Sequence, residues 1–323
     1  MLKFFAKRIG SLLLTMLVVS FLIFLTFEIS PKDVATSALG QFASKESKEI
    51  YHKVHCLDDG FFQRYGSWLG VVPDCHDKLS GLLQGDLGES HLWRTDVNTF
   101  IWDRIGHTVI LALLAFAIIA PLSVVFGVAA GMHEGSLLDR TISLLSTITT
   151  SIPEFAMGAI LSSIFVVWLA FLPGTAPMDS SGGWSLTAQI ILPVATLTAY
   201  YLGYLVRMVR ASMVEVMTRP YIRTAVLKGM SFPDVVVKHA MRNALITPFT
   251  AILMQLNFLF TSVVIVEALF AFPGFGRMIV DAALNSDLDV IESASMFAVF
   301  VVVSSQIVGD FTYMLLNPRI RFS

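Results

Sequence analysis

The sequence predicts an all-α integral membrane protein with six transmembrane helices. Composition is the first sign. Of 323 residues, 55% are hydrophobic and only 14% are charged, against about 25% charged in a soluble globular chain. Mean hydropathy is +0.72. The second sign is clustering of the apolar residues into long stretches. The third is an excess of Lys and Arg in alternate connecting segments. This composition excludes a soluble enzyme and a disordered chain. A net charge of −2 and a pI near 6.4 give no basic footprint for a nucleic acid. Two cysteines cannot frame a disulfide-rich scaffold.

The first apolar run, Ile9–Ile29, follows Lys3, Lys7 and Arg8. At about 1.5 Å per residue it is long enough to cross a hydrocarbon core. A secretory signal would have a shorter apolar region and a small-residue cleavage site directly after it. Here Glu28, Pro31, Lys32 and Asp33 follow, so an uncleaved first span is expected. Five more stretches lie at Thr108–Gly131, Ile142–Leu172, Leu186–Val206, Thr247–Phe270 and Ala294–Leu316. The third contains Pro153 and is expected to divide into a short lead-in helix and a span beginning at the proline. All six are read as helices, because an isolated strand leaves its backbone groups unsatisfied in lipid.

Three regions result: residues 1–30, a cytoplasmic start and the first span; residues 31–105, a polar outer loop; and residues 106–323, a five-span core. With the N-terminus inside, the inner segments hold Arg140, Arg210, Arg219, Arg223, Lys228, Lys238, Arg242, Arg319 and Arg321. The short outer loops hold only Arg277. The bias predicts that both termini are cytoplasmic, the long outer loop being exempt from the rule.

Motifs for covalent or nucleotide chemistry are missing. No Gly-Lys pair occurs, so there is no phosphate-binding loop of the G-x-x-x-x-G-K-[ST] type. H-E-x-x-H and G-x-S-x-G are also absent. Neither an inverted nor a parallel repeat is visible. No catalytic residue, metal or cofactor is expected in this chain.

The inner loop, 207–246, carries the strongest local pattern. Tyr221–Leu227 fits a short helix ended by Gly229, suited to a left-handed turn. Ser231 then caps a second helix, with Pro233 in its first turn and Asp234 near its positive end. A helix–turn–helix knob of this kind docks into a groove on a soluble partner, or serves as an amphipathic connector; the residues alone leave both readings open.

The stretches YIRTAVLKGMS (221–231) and KHAMRNALITP (238–248) resemble the coupling loop of binding-protein-dependent ABC importer permeases, and more narrowly the dipeptide/oligopeptide/nickel permease family. LLQGDLGES (82–90), VRMVRASMVEVM (206–217), VEALFAFPGFGRMIVDAAL (266–284) and VGDFTYMLLNPRIR (308–321) are similar to segments found in that family at the same places. The resemblance implies a type I ABC importer permease architecture, with a scoop-like periplasmic loop between the first two helices. It also implies a bacterial inner-membrane location. The implied partners are a second homologous permease, two ATPase subunits that bind ATP and Mg, and a periplasmic solute-binding protein. Di- or oligopeptides are the implied solutes, with nickel chelates, glutathione, opines and oligosaccharides among relatives. The alternative of another class, a stand-alone secondary transporter, would call for an inverted repeat and charged residues at the midplane.

The same resemblance assigns ATPase coupling to Arg223, Thr224, Ala225, Gly229 and Ser231. The broad superfamily opens this loop on Glu-Ala-Ala; here Arg223, Thr224 and Ala225 stand there, so the acidic residue is missing. Candidates for the solute path or gate are Glu154, Gln255, Asn257, Glu267, Pro273 and Gly274. An ionisable residue inside a span is costly and usually functional. Glu154 departs from the small residue usual in the family, and it is either a polar lining residue or a solvated interfacial one. Glu267 opens the stretch assigned to the external gate, or else ends a helix with its carboxylate satisfied. Asp310 is expected to be paired, with Arg207 one candidate. Cys56 and Cys75 both fall in the outer loop, on the oxidising side, where thiols tend to pair. Each stands where the family pattern is interrupted. A bridge is expected there, a metal site with His52, His55 and His76 being the rival.

Overall fold

The computed structural model describes the backbone of residues 2–29, 34–40, 42–179 and 182–316, and the side chains of these except 2–7, 27, 256–258, 261, 306 and 308–316. Pro31, Lys32, Asp33, Arg319 and Arg321 lie outside the described residues, as do the side chains of Lys3, Lys7, Asn257 and Asp310.

The described chain is mostly helical. In order the elements are α1 (Leu2–Glu28), α2 (Val34–Leu39), α3 (Lys45–Val54), α4 (Phe61–Leu69), a two-stranded antiparallel ribbon of β1 (Glu89–Ser90) and β2 (Thr95–Asp96), α5 (Val97–Met132), α6 (Leu137–Ser151) and α7 (Glu154–Ser162). A π-helical turn, Ser163–Trp168, prolongs α7. Next come α8 (Leu186–Met217), α9 (Pro220–Leu227), α10 (Phe232–Asp234), a second π-helical stretch (Val235–Ala240) and α11 (Met241–Ala244). The chain continues as α12 (Ile246–Leu269), α13 (Phe275–Asn285) and α14 (Leu288–Leu316).

By length and hydropathy, Arg8–Thr26, Val97–Met132, Leu186–Met217 and Leu288–Ser305 suffice to cross a membrane. The pair α6 and α7, bent by 106° at Ile152 and Pro153, would make a fifth span if taken as one. Ile246–Gln255 is a shorter apolar run. The helices outrun the apolar stretches: α5 begins at Val97 rather than Thr108, α6 at Leu137 rather than Ile142, and α8 continues to Met217. Hydropathy marks only the part of a helix that suits lipid. The ends are set by caps: Ser136 and Ser185 accept the N–H of Asp139 and Ala188 at the starts of α6 and α8.

The chain forms two compact units. One, Met1–Gly106 with Arg277–Met314, contains α1, the outer-loop helices and most of α14. Here Phe24 packs edge-on to Phe61 and Tyr65, and Ser20 Oγ lies 2.8 Å from the Tyr65 hydroxyl. Glu28 pairs with Arg64. The ribbon is tied to the start of α14: Ser90 Oγ donates to Asp287 Oδ2 at 2.5 Å, and the Leu92 N–H donates to the same oxygen at 3.1 Å. Cys56 and Cys75 are joined as a disulfide, with Cα atoms 5.7 Å apart. Beside it, Asp74 accepts the N–H groups of Lys78 and His76, which hold its carboxyl below the usual carboxylate range.

The other unit, centred on His107–Gly276, has a core of Leu111, Ile119, Leu192, Leu197, Leu205, Val263 and Phe270. In it α5 and α8 approach closely. A Cβ on Gly127 would meet Val209 and the Val206 carbonyl, and one on Gly131 would meet Met213. Small residues four apart let helix backbones come together in this way. Asp139 on α6 forms a two-pronged pair with Arg210 on α8, and also accepts from the Gly135 N–H and Ser143 Oγ. Arg207, one turn earlier, is exposed.

Two measurements follow from this packing. Alkylation and mass spectrometry of the purified protein without reductant should find neither Cys56 nor Cys75 modified. The Cys75→Ser variant should lose roughly 3 kcal/mol of outer-loop stability on the chain-entropy account, read as faster protease nicking between 56 and 75. Asp139→Ala leaves Arg210 half-buried without its partner. It should cost about 1–3 kcal/mol, a breakage cost reduced by the partial exposure of Arg210, read as a lower Tm in detergent.

Candidate functional site

Two places on the His107–Gly276 unit gather the residues singled out in the sequence. The first is the knob of residues 207–246, which the sequence places on the inner side. α9 begins with Pro220 in its first turn, where a missing N–H costs nothing. Ile222 and Ala225, three apart, form its buried face. They join Val209 and Met213 of α8 and Val235, Val236 and Ala240 of the π-helical stretch in one cluster. The opposite face is open. Tyr221, Val226 and Leu227 are exposed, Leu227 at 78%, together with Arg223 and Thr224. Thr224 Oγ1 is turned back onto the Pro220 carbonyl at 3.0 Å. Of the residues that the sequence resemblance assigns to coupling, Ala225 therefore anchors the helix to its own chain and does not face outward.

Gly229 follows with φ +77°, in the left-handed region that penalises a side chain. A Cβ there would touch nothing within 4 Å, so its requirement is conformational and not steric. Ser231 caps α10: its hydroxyl accepts the Asp234 N–H and donates to Asp234 Oδ2 at 2.6 Å. The Asp234 carboxyl, bonded by Lys238 and Ser231, titrates below its ordinary range. Ser212 Oγ donates to the Ala244 carbonyl at 2.6 Å, closing the knob onto α8.

The second place is the turn after α12. Glu267 is fully buried and accepts the Thr108 hydroxyl at 2.5 Å; Thr108 Oγ1 in turn accepts the Phe275 N–H at 2.8 Å. The Phe272 N–H donates to the Glu267 carbonyl, and the Ala176 N–H to the Phe270 carbonyl at 2.7 Å. His107 Nδ1 lies 3.1 Å from the Pro273 carbonyl oxygen. A Cβ on Gly274 would collide with the Glu267 carboxylate. Glu267, Pro273 and Gly274 are thus brought together, and the carboxylate is a satisfied brace of the turn. His107 and Thr108 complete it. The sequence offered no sign of them, since a polar pair at the edge of an apolar stretch looks like any interface residue.

Glu154 opens α7 immediately after the bend. It is 6% exposed and its Oε1 has no hydrogen-bond partner among the described residues. That burial does not fit a solvated interfacial carboxylate. Gln255 is also buried, on α12; the Asn257 side chain is outside the description. The inner knob and the outer turn share no residue. Cys56 and Cys75 are on the other unit. The rival metal grouping is confined to Cys56, Cys75 and His76 among the described residues, and both its sulfurs are used in the disulfide.

A mostly helical chain with apolar helices long enough to cross a membrane, a bent helix pair and a capped knob suits a transporter's membrane subunit. The chain belongs to the family of binding-protein-dependent transport system inner membrane components, whose profile matches residues 123–322; the profile of the N-terminal part of these components matches residues 1–112. It is the membrane subunit of an ABC importer. It is 35% identical over 319 residues to a "Putative peptide transport system permease protein" of Brucella abortus (strain 2308), covering 98% of both chains. It is 32% identical over 326 residues to the glutathione transport system permease protein GsiC of Escherichia coli (strain K12), covering both completely. Among solved structures it is similar to the MetNI methionine ABC transporter in an inward-facing conformation, with a TM-score of 0.50 and 21% identity over 68% of this chain and 96% of that one. That likeness shows the fold.

Gly229→Val should force a β-branched residue into a left-handed turn, at a cost of at least ~1 kcal/mol. Membrane insertion should be retained and solute-stimulated ATP hydrolysis by the assembled complex lost. Wild-type stimulation in the variant would remove Gly229 from coupling.

Proposed function

We propose that this chain forms one half of the translocation path of a peptide importer of a bacterial inner membrane. In this reading it crosses six times with both termini cytoplasmic, the bent α6–α7 pair and α12 supplying the third and fifth spans. Residues 31–105 make a periplasmic scoop between the first two spans. It pairs with a homologous permease, two ATP-binding subunits that carry ATP and Mg, and a solute-binding protein. The chain makes and breaks no covalent bond.

The observation that carries this reading is the inner knob. α9 is fixed on one face by Ile222 and Ala225 and presents Tyr221, Arg223, Thr224, Val226 and Leu227 on the other. A helix held rigidly and left open on an apolar, basic face suits a groove on a soluble subunit. Motion of that subunit then reaches α8 through Val209 and Met213. The peptide assignment draws on the names of the Brucella and Escherichia relatives, with glutathione included as a small peptide. Within the path, Glu154 is the one buried carboxylate at a helix break without a partner among the described residues, and it offers an acceptor for a peptide ammonium group.

The test is expression of the tagged chain from its native gene cluster, followed by native mass spectrometry. Two permeases and two ATP-hydrolysing subunits should be recovered, and vesicles should take up a labelled dipeptide only with ATP and the binding protein. A chain that purifies alone and transports without ATP would refute the proposal.

A further inference from the structure

The unit of Met1–Gly106 and Arg277–Met314 carries a half-open cavity of about 400 Å³. Neither the knob nor the outer turn uses it. α1 contributes Phe24 and Glu28 to its wall, the outer loop Tyr51, His55, Arg64 and Trp68, and α14 Asp289 and Glu292. Its volume is that of a small-molecule site.

Charge decides what it would hold. Five carboxylates line it, Glu28, Asp74, Asp86, Asp289 and Glu292, against one guanidinium, Arg64. Three of the five are committed within the chain. Glu28 pairs with Arg64. Asp74 accepts two backbone N–H groups, and Asp86 accepts the Gly88 N–H at 3.1 Å. Asp289 accepts one N–H, from Glu89, at 3.2 Å. Glu292 is 5% exposed, lines the cavity, and has no hydrogen bond or ion pair among the described residues. A buried carboxylate without a partner is costly, and a cation relieves that cost. Burial, with His91 nearby, holds the His55 imidazole below its usual titration range. The negative field is felt at Tyr51, whose phenol is pushed upward by burial and by Asp289, Asp287 and Glu89.

A coordinated metal fits poorly, because the imidazole and carboxylate donors of the cavity do not gather into one sphere. Among the described residues only Cys56, Cys75 and His76 do so, and two of these are a disulfide. The aromatic residues Phe24, Tyr51 and Trp68 line the same space, and aromatic faces attract organic cations.

We propose that this cavity binds the ammonium group of a small organic solute, with the Glu292 carboxylate as counter-charge and Asp289 as second acceptor. This rests on the importer reading and adds to it a solute contact outside the helix core. The test is calorimetric titration of the assembled complex in nanodiscs, without the binding protein, using alanyl-alanine and N-acetyl-alanyl-alanine. The free-amine dipeptide should bind saturably and at least tenfold more tightly than the acetylated one. Glu292→Gln should abolish that preference, and Asp289→Asn should reduce it, which keeps the test open if the first variant fails to assemble. Equal binding of the two peptides, absence of saturable binding, or a preference that survives both substitutions overturns the proposal. ATP hydrolysis stimulated by the binding protein is read in parallel. If it persists without the preference, the cavity proposal fails and the importer reading stands. If no ATPase associates, the importer reading fails, and the same titration on the purified chain still decides the cavity.

Discussion

Hydrocarbon offers no hydrogen-bond partners to a peptide group, and this constraint governs where the chain can stop being helical. α5 runs 36 residues and α8 32 residues without a break. Irregular backbone is admitted where side chains and neighbouring strands of backbone can serve it. The turn after α12 is the clearest case. Its amides and carbonyls are met by Thr108, His107, Ala176 and the Glu267 carbonyl. The bend between α6 and α7 follows the same logic with less complete service, since it places an unpartnered Glu154 oxygen beside the break. The first break is a closed structural joint. The second retains a buried acceptor to spare.

Close approach of helices does the rest. Gly127 and Gly131 bring α5 against Val209 and Met213 of α8, and those two residues also bury Ile222 and Ala225. A single seam therefore serves packing of the helix core and anchoring of the inner knob. Asp139 and Arg210 clamp the third side, one turn from Met213. The knob is consequently not an appended loop. It is the end of the same packed assembly, exposed on one face only.

Much of this was legible in the residues. The Gly229 turn, the Ser231 cap and the Pro153 break each depend on local backbone chemistry that a few neighbouring residues dictate. Their positions match the described φ values and caps. Helix ends were less legible, because α5, α8 and α14 extend past the apolar runs into polar sequence whose helicity rests on caps and packing. The Glu267 brace was half legible. The Pro273–Gly274 turn announced itself, but Thr108 lies 159 residues away, and no local pattern predicts a partner at that distance. The cavity beside α14 was not legible at all. Glu292, His91 and Tyr51 come from three separate segments, and only folding places them around one space.

The anchoring of α9 against α8 has a mechanical corollary. At about 1.5 Å per residue, 32 residues of α8 make a rod of roughly 48 Å. A tilt of about 5° at the end that carries Met213 then sweeps the far end through roughly 4 Å. Pro193, buried near that far end, is where such a rod would yield first. The geometry is that of a long lever with its short arm at the knob: a small tilt there becomes a displacement near the scale of a peptide group at the other end. Gearing of that kind trades force for travel, so stiffness of the seam, more than strength of the docking contact, sets how much of each stroke arrives.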